Sequence, residues 1–205
     1  MAPTAASTTN SDGRRSRLAL IVTGGVGLAA ASPFLRPLLG IGAADAASKS
    51  QDLRILQLVL QLEYTQVALY EQALKEASLN GELRDFARTA LKHERQHLAA
   101  VKQALGSKAS PKPRFEFGSK TKSVEAFRQT AIKLEDIAVA GYNGQAANLT
   151  KPTLAVAAEI VSVEARHAAW VRAIAGEVAA PDAVDKPMTA SEVSAALNEI
   201  GLRTS

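Results

Sequence analysis

The chain has 205 residues, with 24 Lys and Arg, 20 Asp and Glu, three His and no cysteine; 47% of its residues are hydrophobic and only 4% aromatic. Without cysteine, disulfides and every thiolate metal site are excluded, which leaves oxygen and imidazole groups as metal ligands. The Ala- and Leu-rich composition lacks runs of alternating β-branched residues, so it predicts an all-α protein with one domain-sized core.

The first 46 residues have the features of an export signal and are left out of the predicted fold. A polar stretch reaches Arg14-Arg15-Ser16-Arg17, an apolar run extends from Leu18 to Leu35, and Ala44-Asp45-Ala46 offers small residues for cleavage. The paired arginines are typical of twin-arginine export, but Arg17 stands where an apolar residue is usual, so Sec export stays open. We expect a periplasmic or extracellular protein. An uncleaved signal would tether it to a membrane, because 18 residues can just span a bilayer.

Residues 47–178 are predicted to form four long helices, each with an apolar stripe. The predicted helices cover Ser50–Leu79, Leu83–Leu105, Ser123–Tyr142 and Thr150–Ile174. Short turns join the first helix to the second and the third to the fourth, so each pair should be antiparallel neighbours. The 17 residues from Gly106 to Lys122 could extend over ~55 Å, enough to run the length of a bundle. A floppy loop of that length is equally compatible.

The C-terminal tail, residues 179–205, is predicted to contain one short helix. Thr189 and Glu192 make a capping box at its start, and Gly201 ends it. Its apolar residues should dock on the bundle or on another subunit, so a homo-oligomer stays open. The Lys- and Arg-rich link before the third helix is interpreted as a solvated connection, pinned by Phe115 and Phe117, and no nucleic-acid partner is predicted.

Two Glu-x-x-His tetrads are the most specific feature of the chain. Each tetrad follows a lone glutamate on an apolar helical stripe, and side chains three residues apart share one face of a helix. Four such helices in a bundle would bring four carboxylates and two imidazoles together, which is the ligand set of a dinuclear carboxylate metal centre. Four ionised carboxylates would also balance two divalent cations. The predicted ligands are Glu63, Glu94, His97, Glu135, Glu164 and His167.

Two other functions compete with this interpretation. The segment His93 to His97 spells H-E-x-x-H, the zinc protease motif in which both histidines bind zinc. However, Gln103 occupies the position of the third metzincin histidine, no strand is predicted to hold a peptide, and the second tetrad would have no role. His93 would then either support a metal ligand from outside the site or lie on the surface. A metal-free helical module for stress protection or partner binding is the other alternative, but its expected mark is a lost ligand, and none is lost.

With these motifs, the chain resembles the ferritin-like superfamily over about Ser50–Glu177. More narrowly, it resembles exported ferritin-like domain proteins related to plant desiccation-associated and fungal stress-response proteins. The resemblance implies a four-helix bundle with one long crossover, and a di-iron or di-manganese centre in which the two tetrad glutamates or their counterparts bridge the metals. It also implies that Tyr70 and Tyr142, seven residues after the lone glutamates, donate hydrogen bonds to carboxylates. The alternative is that both are core tyrosines with a buried hydroxyl.

The expected chemistry follows from the ligands. An oxygen-rich site with two imidazoles suits two iron or manganese ions better than copper or tetrahedral zinc. Two adjacent metals can share the electrons that reduce O₂ or peroxide, so we expect an oxidoreductase or an Fe²⁺-oxidising protein. No acid-rich run marks a surface for mineral storage.

Overall fold

The computed structural model describes residues 47–203, so the predicted export signal lies outside the described residues. Five α-helices occupy this part of the chain: α1 Lys49–Glu76, α2 Gly81–Leu105, α3 Val124–Gln145, α4 Lys151–Ile174 and α5 Ala190–Ile200. The all-α prediction is confirmed. None of the helices within residues 47–203 is both long enough and apolar enough to cross a membrane.

The helix ends are set by local capping. Ser48 and Ser123 each accept a backbone N–H of the first turn of α1 and α3, and Thr189 with Glu192 forms the predicted capping box of α5. The predicted end of α1 at Leu79 is three residues too late, because Ala77 caps the helix and Ser78 adopts a positive φ of 49°. The chain turns there and starts α2.

The four long helices form a bundle in which α1 packs beside α2 and α3 beside α4. Additional contacts join α1 to α3 and α2 to α4. The buried carboxylate of Asp52 on α1 accepts the backbone N–H of Thr150 at 2.9 Å and the hydroxyl of Thr153 at 2.6 Å. It therefore caps α4 from another helix and fixes the two halves of the bundle to each other at this end.

The link between α2 and α3 runs along α1. Near its start, the side chain of Gln57 donates to the carbonyl oxygen of Lys108, and near its end the hydroxyl of Thr121 donates to Glu76 at 2.9 Å. Glu76 lies nineteen residues after Gln57 on α1, a distance of about 28 Å along the helix. The link is thus the long crossover, and the floppy-loop alternative is wrong. Phe117 is buried in the core, as the pinning interpretation requires.

The C-terminal tail docks on the bundle. Helix α5 packs against α1 and α3, and the segment before it crosses α3 so closely that a Cβ at Gly144 would lie 1.9 Å from the carbonyl oxygen of Met188. After α5, β2 (Leu202–Arg203) pairs antiparallel with β1 (Arg114–Phe115) of the crossover. This two-residue ladder was not predicted. A pair so short has no periodicity by which sequence could reveal it.

Candidate metal site

All six predicted ligands meet at the centre of the bundle. One carboxylate comes from α1 and one from α3, and each of α2 and α4 contributes a glutamate and a histidine one turn apart. The four glutamates are fully buried, and the side chains of His97 and His167 are 11% and 3% exposed. The i, i+3 spacing thus places each pair on the inward face, as predicted.

The six side chains form two overlapping groups whose ligand atoms lie within 4.8 Å of one another. Both groups include the two tetrad glutamates. The first group is Glu63, Glu94, His97 and Glu164, and the second is Glu94, Glu135, Glu164 and His167. Two neighbouring cation positions that share Glu94 and Glu164 would therefore each have three carboxylates and one imidazole.

The shared glutamates each reach both imidazoles. The two oxygens of Glu94 lie 3.0 Å from His97 Nδ1 and 3.0 Å from His167 Nδ1. Those of Glu164 lie 2.8 Å from His97 Nδ1 and 3.9 Å from His167 Nδ1. Both histidines thus turn the same nitrogen, Nδ1, toward the carboxylates.

Four buried atoms at this centre make no well-aligned hydrogen bond, although oppositely charged groups lie as close as 2.8 Å. They are Glu63 Oε2, Glu94 Oε1, Glu164 Oε1 and His167 Nδ1. A buried polar atom without a partner is costly, and native proteins satisfy most of them. All four atoms face the shared interior, so cations bound there would satisfy them together. The donor set therefore fits a metal site.

A protein family model for the ferritin-like domain matches residues 51–177, which is more than half of the chain. The chain belongs to the ferritin-like domain family. The resemblance inferred from the tetrads is confirmed at this level. No curated protein matches the chain, and membership of the desiccation- and stress-related branch stays a prediction.

Without metal, protons compensate the buried charge of this ferritin-like centre. Burial and the charges of Glu164 and Glu94 raise the pKa of Glu63 well above its usual value, and burial raises the pKa of Glu135 to about 8. Burial alone would lower the pKa of His97, but the carboxylates of Glu164 and Glu94, with oxygens 2.8 and 3.0 Å from its Nδ1, outweigh burial and raise the pKa to about 10. The imidazoles are thus held in the charged form.

Each of the two tyrosines donates a hydrogen bond to a glutamate in the other half of the bundle. Tyr142 on α3 donates to Glu63 of α1 at 2.6 Å, and Tyr70 on α1 donates to Glu135 of α3. Each tyrosine therefore orients the lone glutamate of the other half. The resemblance implied carboxylate partners for both hydroxyls, and the structure supplies them.

Gln66 is a site residue that the sequence analysis missed. It is fully buried, and its amide nitrogen donates to Glu164 at 2.9 Å and lies 3.4 Å from both oxygens of Glu135. The available signal was its position three residues after Glu63, which makes it a polar residue on the apolar stripe. The equivalent position after Glu135 is Ala138. The two halves of the site therefore differ, and Gln66 belongs to one only.

His93 contacts the outer side of a predicted ligand. Its Nδ1 lies 2.9 Å from Nε2 of His167, and the two ring planes are nearly parallel, with centroids 5.2 Å apart. This nitrogen of His167 is opposite the Nδ1 that faces the carboxylates. His93 can therefore fix the ring orientation of His167 through a hydrogen bond.

Proposed function

We propose that this ferritin-like protein holds a dinuclear iron or manganese centre and uses it to oxidise Fe²⁺ or to reduce O₂ or peroxide in stress protection. The observation that carries the proposal is the sharing of Glu94 and Glu164 by two groups of ligand atoms. A mononuclear site needs no shared carboxylates. Carboxylate-rich sites with few imidazoles also favour iron and manganese over copper and zinc.

The bound metals would supply the electrons for reduction of O₂ or peroxide. The residues of the chain contribute position and charge. Glu63 and Glu135 are held by tyrosine hydroxyls from the opposite half, and Gln66 donates to Glu164. Burial of all four glutamates excludes water from the carboxylates and strengthens their attraction for cations.

The zinc protease alternative has less support. A zincin needs the imidazoles of His93 and His97 on one metal, with the glutamate between them free to activate water. Here His93 Nδ1 is directed at His167, and the two oxygens of Glu94 contact the imidazoles of His97 and His167. The alternative of a metal-free module leaves four buried atoms at the centre without a well-aligned hydrogen bond.

The proposed setting is outside the cytoplasm, with the export machinery as the partner of residues 1–46. This part of the proposal rests on the sequence features of that segment. The twin-arginine and Sec routes both remain open, as do a cleaved signal and an uncleaved signal that tethers the protein to a membrane. A homo-oligomer also remains open.

A ferroxidase assay tests the proposed activity. The purified protein, loaded anaerobically with Fe²⁺, is mixed with O₂ or with peroxide, and the formation of Fe³⁺ is followed by absorbance. We expect faster oxidation than for the same Fe²⁺ in buffer, and loss of the acceleration in Glu135→Ala. The surface variant Glu159→Ala on α4 is the control. Equal rates for wild type and Glu135→Ala with both oxidants would contradict the proposed function.

A further inference from the structure

An apolar cavity of about 200 Å³ lies at one end of the bundle. Its walls come from the N-terminal half of α1, the C-terminal ends of α2 and α3, and the N-terminal half of α4, which all meet at this end. The lining residues are Ile55, Leu56, Val59, Ala100, Val101, Ala104, Tyr142, Gln145, Leu149, Pro152, Thr153, Val156, Ala157 and Ile160. The floor of the cavity is buried, whereas Ala104, Pro152 and Val156 at the mouth are exposed.

We propose that this cavity binds a small uncharged apolar organic molecule, such as a single-ring aromatic or a short aliphatic, beside the metal centre. No charged side chain lines the cavity. An apolar cavity of about 150 Å³ is enough to bind benzene and otherwise stays dry. The size and lining therefore select the chemical class of the ligand.

The polar side chains of the lining are already engaged. The Tyr142 hydroxyl donates to Glu63, the Thr153 hydroxyl donates to Asp52, and the Gln145 amide nitrogen donates to the carbonyl oxygen of Met188. A charged or strongly polar ligand would lose its hydration without new partners, which is unfavourable. An apolar ligand gives up no hydrogen bonds to water on entering and gains the burial of its surface.

The cavity borders the metal site directly. Val59 precedes Glu63 by one helical turn, Ile160 precedes Glu164 by one turn, and Val101 follows His97 by one turn. The ring of Tyr142 forms part of the wall, and its hydroxyl contacts Glu63. A bound molecule would thus lie against the side chain that orients one carboxylate of the centre. The position of this ligand next to bound metals rests on the proposed function, whereas the binding of the ligand to the cavity does not.

Binding is tested on the metal-free full-length protein with 4-fluorotoluene, observed by ¹⁹F NMR. Ala157→Phe should fill the cavity and weaken binding by about tenfold or more. Ala104→Phe narrows the mouth from an exposed position and should do the same, which keeps the test informative if one variant fails to fold. The matched control is Ala158→Phe, an exposed neighbour outside the lining, and it should bind as wild type does. Absence of saturable binding, or wild-type affinity in a folded cavity variant, would overturn the proposal.

The position beside the metal centre is tested with Mn²⁺. Loading the protein with Mn²⁺ should broaden the ¹⁹F resonance of the bound probe, because a paramagnetic ion relaxes nearby nuclei. A loaded protein whose bound probe stays sharp would overturn this position. If the protein takes up neither Mn²⁺ nor Fe²⁺, the proposed function fails, and the metal-free titration still decides whether the cavity binds its ligand.

Discussion

Glu94 and Glu164 lie between the same two imidazoles, because each carboxylate has one oxygen near His97 Nδ1 and the other near His167 Nδ1. They come from α2 and α4, which are adjacent in the bundle. A carboxylate in this position can serve two cations at once, or two protonated imidazoles when no cation is bound. Metal and protons therefore compete for this centre.

That competition predicts how the stability of the metal-free protein depends on pH. The pKa of Glu135 is raised from 4.5 to about 8 and that of His97 from 6.5 to about 10. The folded state therefore binds more protons than the unfolded state, and the free energy of unfolding falls as pH rises through this window. The pKa of Glu164 is lowered, so its contribution is lost only below about pH 4.5. Tm of the metal-free protein should thus be lower at about pH 9 than at about pH 5.

Metal loading should reverse this trend, because bound cations replace the protons and their affinity rises with pH. Calorimetric titration with Mn²⁺ in two buffers of different ionisation enthalpy measures the protons released. A metal-free Tm that rises over this pH range, or metal binding without proton release, would contradict the assignment.

Tyr70→Phe and Tyr142→Phe should each lower metal affinity by about tenfold to a hundredfold, the usual effect of removing a hydrogen bond to a ligand. Ring volume is kept, so helicity should not change. Tyr64→Phe is the control, since Tyr64 lies under the Lys102 ammonium on another face. Competition titrations against a chelator give the affinities. Equal values for all three variants would mean that the hydroxyls do not position the carboxylates.

Much of the centre could be predicted from the sequence, because the Glu-x-x-His spacing and the apolar stripe fix which face of a helix each ligand occupies. Tyr70 and Tyr142 could be placed on that face. Their crossed pairing could not, since it depends on how α1 packs against α3. Gln66 was missed for a similar reason: a buried amide has an evident role only when the carboxylate of another helix is located. The cavity is a gap between four helix ends, and no sequence pattern records such a gap.

Substitutions of His93 and His167 distinguish the dinuclear centre from a zinc protease. If the centre is dinuclear, the His167→Gln variant should no longer bind metal at full stoichiometry and should no longer oxidise Fe²⁺. His93→Gln should keep the stoichiometry and lose about tenfold in affinity at most, because it removes only the contact with His167 Nε2. A zincin predicts the reverse. Metal content, Fe²⁺ oxidation and casein cleavage are measured for both variants. Loss of zinc-dependent cleavage in His93→Gln alone would contradict the dinuclear assignment.

The export route can be tested with paired substitutions in the N-terminal segment. Changing Arg14 and Arg15 together to Lys should block translocation if the twin-arginine route is used, because that route reads the arginine pair. Arg36→Lys, beyond the apolar run, is the matched control. Secretion is measured by immunoblotting of cell fractions. Normal secretion of the double variant would indicate Sec export instead.

The metal content of the purified protein, measured by mass spectrometry, tests the central claim most directly. We predict about two equivalents of iron or manganese per chain, and none in the double variant Glu94→Ala with Glu164→Ala. That variant should keep its circular dichroism spectrum, because apolar burial supplies most of the stability of the bundle. Glu159→Ala, an exposed glutamate of α4, should load as wild type does. One equivalent of zinc, no metal at all, or full loading of the double variant would contradict the dinuclear centre.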